Sequence, residues 1–499
     1  MSASPVVVPL HRAAFAGRAA GWELADVLDS TEPNVAVARI RDWMGEVDPD
    51  GLGGPEQIDL IGELERIKSA AAAAQARLTA AFTADQVRDA LEAYRAEADV
   101  TGEDPATSEA ASRRRVCEEA EVAAKCVRSV GSQVALARRE SPSRGDRFIG
   151  FARALTDEMP QTQAALARGD VSEWGATLMV RGTAVLSLED RAAVDAKLGP
   201  ELASMSARQI HQATRREAAT RDAAAVVRRR EQAVKSRRVS VRPAPDGMAY
   251  LTLLTTLKEA VAAYGSLHRH AQSVKAGTAF HVDEAGHEVQ ELPEGRGVGA
   301  IMVDAAIARL TGRPTGVPAP VEVQLVITDR ALLGTGDPAR SVDEPARLPG
   351  HGIVPTPLAR KWLRDDAADV WLRRLYTEPS GRDLVAMDSR RRTFTGQLRR
   401  MLILRDDTCR TPYCDAPIVD GDHTRSHSRL GATSYTNGAG LCSRCNQTKE
   451  SAGWRYVVTS GDSDRAGPPH SIRVTTPTGH THDSTAPPLL GPGWSPGAA

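Results

Sequence analysis

The first strong periodicity in the chain begins at Glu56. Leu60, Ile61, Leu64, Ile67, Ala71, Leu78 and Phe82 recur at three- and four-residue steps, which predicts a long amphipathic helix. The run "AAAAAQARLTAAF" adds high helix propensity to that pattern. Two shorter helical pieces precede it, around Trp22 to Asp29 and Val35 to Trp43, and "DPDGLGGPE" marks a break. Helical patterning continues through "SEAASRRRVCEEAEVAAKCVRSVGSQVALARRE", through the segments near 150–200, and along 205–242. Short apolar runs predict strands at 248–254, 321–328 and 384–387, with a polar, Gly-rich loop, "KAGTAFHVDEAGHEVQELPEGRG", between the first two. Residues 1–18 read as a loose lead-in. Residues 458–499, rich in Gly, Pro, Ser and Thr, read as a disordered tail that cannot bury enough apolar surface to fold.

Composition sharpens this into a fold class. A chain of 499 residues implies more than one domain. With 4% aromatics and abundant alanine, thin Ala/Leu interfaces between helices are favoured over a strand-rich core. The expectation is therefore a mainly α protein with a small α+β portion: a helical region over 19–389 and a compact module over 390–457. A net charge of −1 does not point to an acidic or a basic partner, so local charge matters more. Arg208, Arg215, Arg216, Arg221, Arg228, Arg229, Arg230, Lys235, Arg237, Arg238 and Arg242 crowd one stretch, against only Glu217, Asp222 and Glu231. A backbone-tracking surface for nucleic acid and a solvated helix face both fit that pattern. Arg390, Arg391, Arg392, Arg399, Arg400 and Arg405 form a second basic run. No stretch approaches the roughly 18 apolar residues of a membrane span. "MSASPVVVPLHRAAF" lacks a basic region before its apolar run, so a cytoplasmic location is expected, with no membrane partner.

In a reducing compartment, paired cysteines point to metal rather than disulfides. Cys117 and Cys126 lie nine residues apart in a helical pattern and are expected to be small buried side chains. The other four fall in two pairs, Cys409/Cys414 and Cys442/Cys445, spaced to close a tetrahedral sulfur cage around Zn2+. Four protein ligands leave no open position, so such a zinc is structural. His268, His270, His281 and His287 have no ligand-like neighbours, and the alternating pair His480 and His482 is weak evidence for metal. Between and beside the cysteine pairs lie Asp422, His423, Asn437 and Asn446. Their carboxylate and amide oxygens are hard donors suited to Mg2+ or Mn2+.

The order Cys pair, Asp-His, Asn, Cys-x-x-Cys-Asn resembles the HNH endonuclease motif, a ββα-metal fold. "VQLVITDRALLG", "LPGHGIVP", "VWLRRLYTEPSGRDLVAMDSRRR", "CRTPYCDAPIVDGDH" and "TNGAGLCSRCNQTKESAGW" extend the resemblance over roughly 20–457. Over that length the chain is similar to actinobacterial proteins that join a helical domain of unknown function to an HNH nuclease. The resemblance implies that His423 is the general base and that Asp422 and Asn446 hold the catalytic Mg2+ or Mn2+. It further implies that Asn437 fixes the loop and orients the base, and that Cys409, Cys414, Cys442 and Cys445 bind zinc. The implied activity is metal-dependent hydrolysis of DNA. Cutting both strands with one site per chain would call for a homodimer.

Two positions depart from the pattern: Ser426 stands where relatives carry proline, and Leu430 where they carry the first glycine of a pair. His427 could assist at the phosphate or simply sit on the loop, and Arg425 and Arg429 could contact phosphate or remain solvated. The rival reading is a nucleic-acid-binding or regulatory protein whose zinc-stabilised HNH module is catalytically silent.

Overall fold

A computed structural model describes residues 32–100, 109–282, 287–313, 325–328, 331–332, 344–364, 394, 396–460 and 469–491. Its first part is helical: α1 (Pro33–Gly45), α2 (Gly54–Val100), α3 (Glu109–Arg138), α4 (Pro142–Arg153), α5 (Pro160–Arg168), α6 (Glu173–Thr183), α7 (Leu188–Leu198), α8 (Ala207–Arg221) and α9 (Ala223–Lys235). The long pair α2 and α3 runs antiparallel, with Arg95 reaching Glu119 and the Cys126 thiol against the Gln86 carbonyl.

The face that α2 buries differs from the one its large apolar residues suggest. Ala72, Ala73, Ala76 and Ala80 lie in the core, together with Ser69, Thr79 and Thr83. Ala71 is exposed, and Leu78 keeps 71% of its surface in water. A stripe of small side chains lets the helices approach closely, and bulk is supplied from the other side by Phe148, Phe151, Leu155, Met159, Leu166 and Met179. Cys126 is half-buried, but Cys117 is exposed, so the expectation of two buried thiols fails for Cys117.

The arginine-rich stretch is not one helix. Asp222 breaks it with φ −141° and caps α9 by accepting the Ala225 N–H at 2.7 Å. After Lys235 the chain becomes a strand, β1 (Arg238–Pro243), paired with β2 (Ala249–Leu254) around the turn at Asp246 and Gly247, both at positive φ. β2 matches the strand expected at 248–254. Helices α10 (Leu257–Lys275) and α11 (Val298–Thr311) pack together through Ala271, Val274 and Ile301. The segment read as a loop holds a short hairpin, β3 (Phe280–Val282) with β4 (Glu288–Gln290). Of the strand expected at 321–328, the described part contributes a single bridge from Val326 to Arg347. The helical piece at Trp22–Asp29, the strand at 384–387 and Arg390, Arg391 and Arg392 lie outside the described residues.

A hairpin of β5 (Ala346–Leu348) and β6 (Gly352–Val354) with α12 (Thr356–Leu363) leads to the compact module. That module comprises α13 (Gly396–Asp406), β7 (Asp420–His423), β8 (Gly438–Leu441) and α14 (Ser443–Lys449). It is followed by a three-stranded sheet in the order β11–β10–β9, from β9 (Arg455–Val458), β10 (Ser471–Thr475) and β11 (Thr481–Thr485). The reading of 458–499 as a disordered tail is therefore wrong for residues 469–491. Ile472 and Val474 are fully buried beside Trp454, Tyr456 and Leu136 of α3. Leu489 and Leu490 pack on Phe394, Leu398 and Leu402. Polar composition hid this because each strand is short and its apolar partners lie elsewhere in the chain. No described helix is long and apolar enough to cross a membrane.

Candidate active site beside a four-cysteine metal centre

The site is built on the antiparallel pair β7–β8, which sets Asp420 opposite Leu441, Asp422 opposite Ala439 and His423 opposite Gly438. Small residues let α13 lie directly on this pair. A Cβ at Gly438 would come within 2.9 Å of both methyls of Leu402 and 2.7 Å of the Phe394 ring. Arg405 and Asp406 pin β8 from inside. Arg405 donates to the carbonyls of Tyr435 and Gly438, and Asp406 accepts the Gly440 N–H at 2.7 Å. Burial works against ionising Asp406, but Arg405, Arg410 and the Gly440 N–H together hold its carboxyl below the usual range. Arg405 thus belongs to the core, not to a backbone-tracking surface as its place in the basic run suggested.

The four cysteines Cys409, Cys414, Cys442 and Cys445 are buried and unbridged, with their sulfurs within 4.8 Å of one another. Cys414 lies 3.9 Å from Cys442 and 3.7 Å from Cys445, sulfur to sulfur. A tetrahedron with metal–sulfur distances of about 2.3 Å spaces its sulfurs about 3.8 Å apart, so the cluster fits Zn2+. The knuckle geometry is local. Cys442 caps α14 by accepting the Cys445 N–H, and Arg410 N–H bonds Gly440, tying the first pair to β8.

His423 is buried at 7% exposure and lies in the wall of a cleft of about 460 Å³. Its Nε2 is 2.8 Å from Thr433 Oγ1, and its ring packs against Phe394 and edge-on to His427. Asp422, one residue earlier, faces the same cleft, its Oδ1 3.9 Å from His423 Nδ1. Asn437 is wholly used in clasping the loop after β7. Its side chain accepts from Arg425 N–H and donates to the carbonyls of Arg425 and Ala432, while its own carbonyl accepts the Thr424 N–H. Asn446 points its amide at Asp420 Oδ2, 3.3 Å away.

Asp420 and Asp422 both line the cleft, and Asn446 donates its amide N–H to Asp420. Carboxylate oxygens are hard donors, suited to Mg2+ or Mn2+ rather than zinc. Of the expected phosphate contacts, His427 lines the cleft, whereas Arg425 and Arg429 are exposed and bonded to each other. Leu430 adopts φ +62°, the left-handed conformation that a glycine would take without strain.

Two residues of the site were missed in the sequence. Lys449 is buried and donates to Asp422 Oδ2 and to the His423 carbonyl, both at 2.7 Å. Its spacing four after Cys445 and three after Asn446 puts it on the same helix face, a signal present in "CNQTK". Asp420 stands two before Asp422, hence on the same side of the strand. Arg399 also lines the cleft.

Comparison with known families places two models on the chain. One described as a domain of unknown function, DUF222, matches residues 92–406, and one described as HNH endonuclease matches residues 409–452. No curated protein and no solved structure matches.

Proposed function

Since the chain belongs to the DUF222 family and carries an HNH endonuclease domain, we propose that it is a metal-dependent endonuclease that hydrolyses phosphodiester bonds in DNA. The observation that carries this reading is the convergence of Asp422, His423 and Lys449 on one cleft, with Asn446 held beside Asp420. Asp422 and Asn446, with Asp420 at hand, would hold Mg2+ or Mn2+, which when bound relieves charge at the scissile phosphate and the leaving 3′ oxygen. His423 acts as general base, taking a proton from the attacking water, and Thr433 and Phe394 fix its ring plane. Asn437 holds the loop that closes over the base. Arg399 and His427, which also line the cleft, would supply donors to the phosphate. Cys409, Cys414, Cys442 and Cys445 would hold zinc, which would tie the first cysteine pair to β8 and α14.

The exposed arginines of α9, Arg228, Arg229 and Arg230, suit non-specific contact with the DNA backbone. One site per chain cuts one strand at a time, so double-strand cleavage would require two chains. One observation favours the rival reading of a silent nucleic-acid-binding module: the Lys449 ammonium already neutralises Asp422. The deciding experiment is plasmid cleavage by the purified chain with Mg2+ or Mn2+. Nicking that weakens steeply with added salt supports the nuclease. DNA binding without cleavage in either metal supports the rival.

A further inference from the structure

Helix α14 has seven residues, too few to hold its own shape in water. Its orientation is set by what grips it, and it is gripped on two sides. Cys445 faces the thiolate cluster, and Asn446 and Lys449 face β7. Arg444 and Thr448 face the helical part of the chain instead. Arg444 Nε and Nη2 donate to the two carboxylate oxygens of Asp146 at 3.1 and 2.8 Å, and Nη2 also donates to the Arg128 carbonyl at 2.7 Å. Thr448 Oγ1 lies 3.3 Å from Ser132 Oγ.

Asp146 reaches this position only because α3 and α4 cross at two glycines. A Cβ on Gly131 would lie 2.2 Å from Asp146 Oδ1, and one on Gly145 would lie 2.0 Å from the Gly131 carbonyl oxygen. The contact continues beyond α14. Trp454 Nε1 donates to Ser129, Thr478 donates to Gln133, and Leu136 is buried among Trp454, Tyr456, Ile472 and Val474.

We propose that the α3–α4 crossing of the DUF222 region is a positioning device for the nuclease site. Through the Arg444 fork, Asp146 sets the rotation of α14, and with it the placement of Asn446 and Lys449 against Asp420 and Asp422. A two-pronged Arg–carboxylate pair fixes angle as well as distance. Asp146 and Arg444 are positioning residues: neither lines the cleft. The proposal rests on reading α14 as the ligand-bearing helix of the endonuclease.

The test uses the full chain carrying Arg444→Ala, Asp146→Asn or Gly131→Ala. It measures kcat and KM for plasmid nicking in Mn2+, zinc per chain, and hydrogen exchange of the amides of 446–450. Arg444→Ala should lower kcat by about 10- to 100-fold, the scale of a small misplacement of reacting groups, with KM and zinc content unchanged. Exchange at 446–450 should speed up in all three variants. Arg444→Lys, which keeps one donor, should restore part of kcat. An unchanged kcat in Arg444→Ala and Asp146→Asn overturns the proposal. If the wild type cuts nothing, the endonuclease reading fails by itself, and the positioning claim is judged on exchange: faster exchange upholds it and unchanged exchange overturns it.

Discussion

The ammonium of Lys449 lies 2.7 Å from Oδ2 of Asp422, the carboxylate that the proposed divalent ion would need. Lys449 is buried, so its replacement by methionine keeps the volume but leaves Asp422 without its partner. Lys449→Met should therefore be less stable than the wild type in chelator and should gain more from Mn2+. The expected result is a larger Mn2+-induced rise in Tm for the variant and a lower Mn2+ concentration at half-maximal effect. Its nicking rate should nonetheless fall, because the His423 carbonyl also loses its donor. Equal Mn2+ responses in the two proteins would show that the ion does not meet Asp422.

Leu430 is 89% exposed and sits at φ +62°, where an L side chain costs roughly 1–2 kcal/mol and glycine is free of strain. Set against the extra flexibility of glycine in the unfolded chain, Leu430→Gly should stabilise the protein by about 0.5–1 kcal/mol. Urea unfolding checks this, and a lower midpoint would contradict it. The following Gly431 has no such latitude: a Cβ there would lie 1.8 Å from the Arg425 carbonyl oxygen.

Zinc bound at the four-cysteine cluster would contribute folding energy. The wild type should hold about one zinc per chain, and Cys442→Ser should lose it and lower the unfolding temperature of the C-terminal part. Strong chelator should do the same to the wild type. A Cys442→Ser protein with unchanged zinc and an unchanged melting profile would refute the assignment.

His470 is buried with Nε2 on the Thr436 carbonyl, and its pKa is pushed down to about 3, first by burial and then by Arg405 and Arg410, against the pull of Asp406. The unfolded chain takes up this proton near the ordinary value of 6.5, and the folded chain only near 3. Stability is therefore lost as pH falls through that window, by up to about 1.4 kcal/mol per pH unit from this ring. His470→Gln lacks the term. The stability advantage of the wild type over His470→Gln should shrink as pH is lowered from neutral, and an advantage that stays constant would contradict the assignment.

What could be read from the sequence was whatever is encoded in short spacing. The two cysteine pairs are local chemistry, and the structure brings their four sulfurs together as the spacing implies. What could not be read was set by partners far along the chain. Ile472 and Val474 look like isolated apolar residues in a polar tail until Leu136 and Tyr456 are seen against them. The buried face of α2 follows its alanines rather than Leu78, because the bulk that fills the interface comes from α4 and the segments after it. Arg405 reads as surface charge, yet it is neutralised by its own neighbour Asp406 inside the core. Arg444 and Asp146 give no sequence sign of each other at all.

If His423 activates water at this cleft, plasmid nicking by the wild type and by His423→Ala, side by side in Mn2+, will differ sharply. The variant should keep its zinc and its fold while its rate drops by a factor of roughly 100 or more, the scale of a lost general base. Equal nicking by the two proteins would contradict the account.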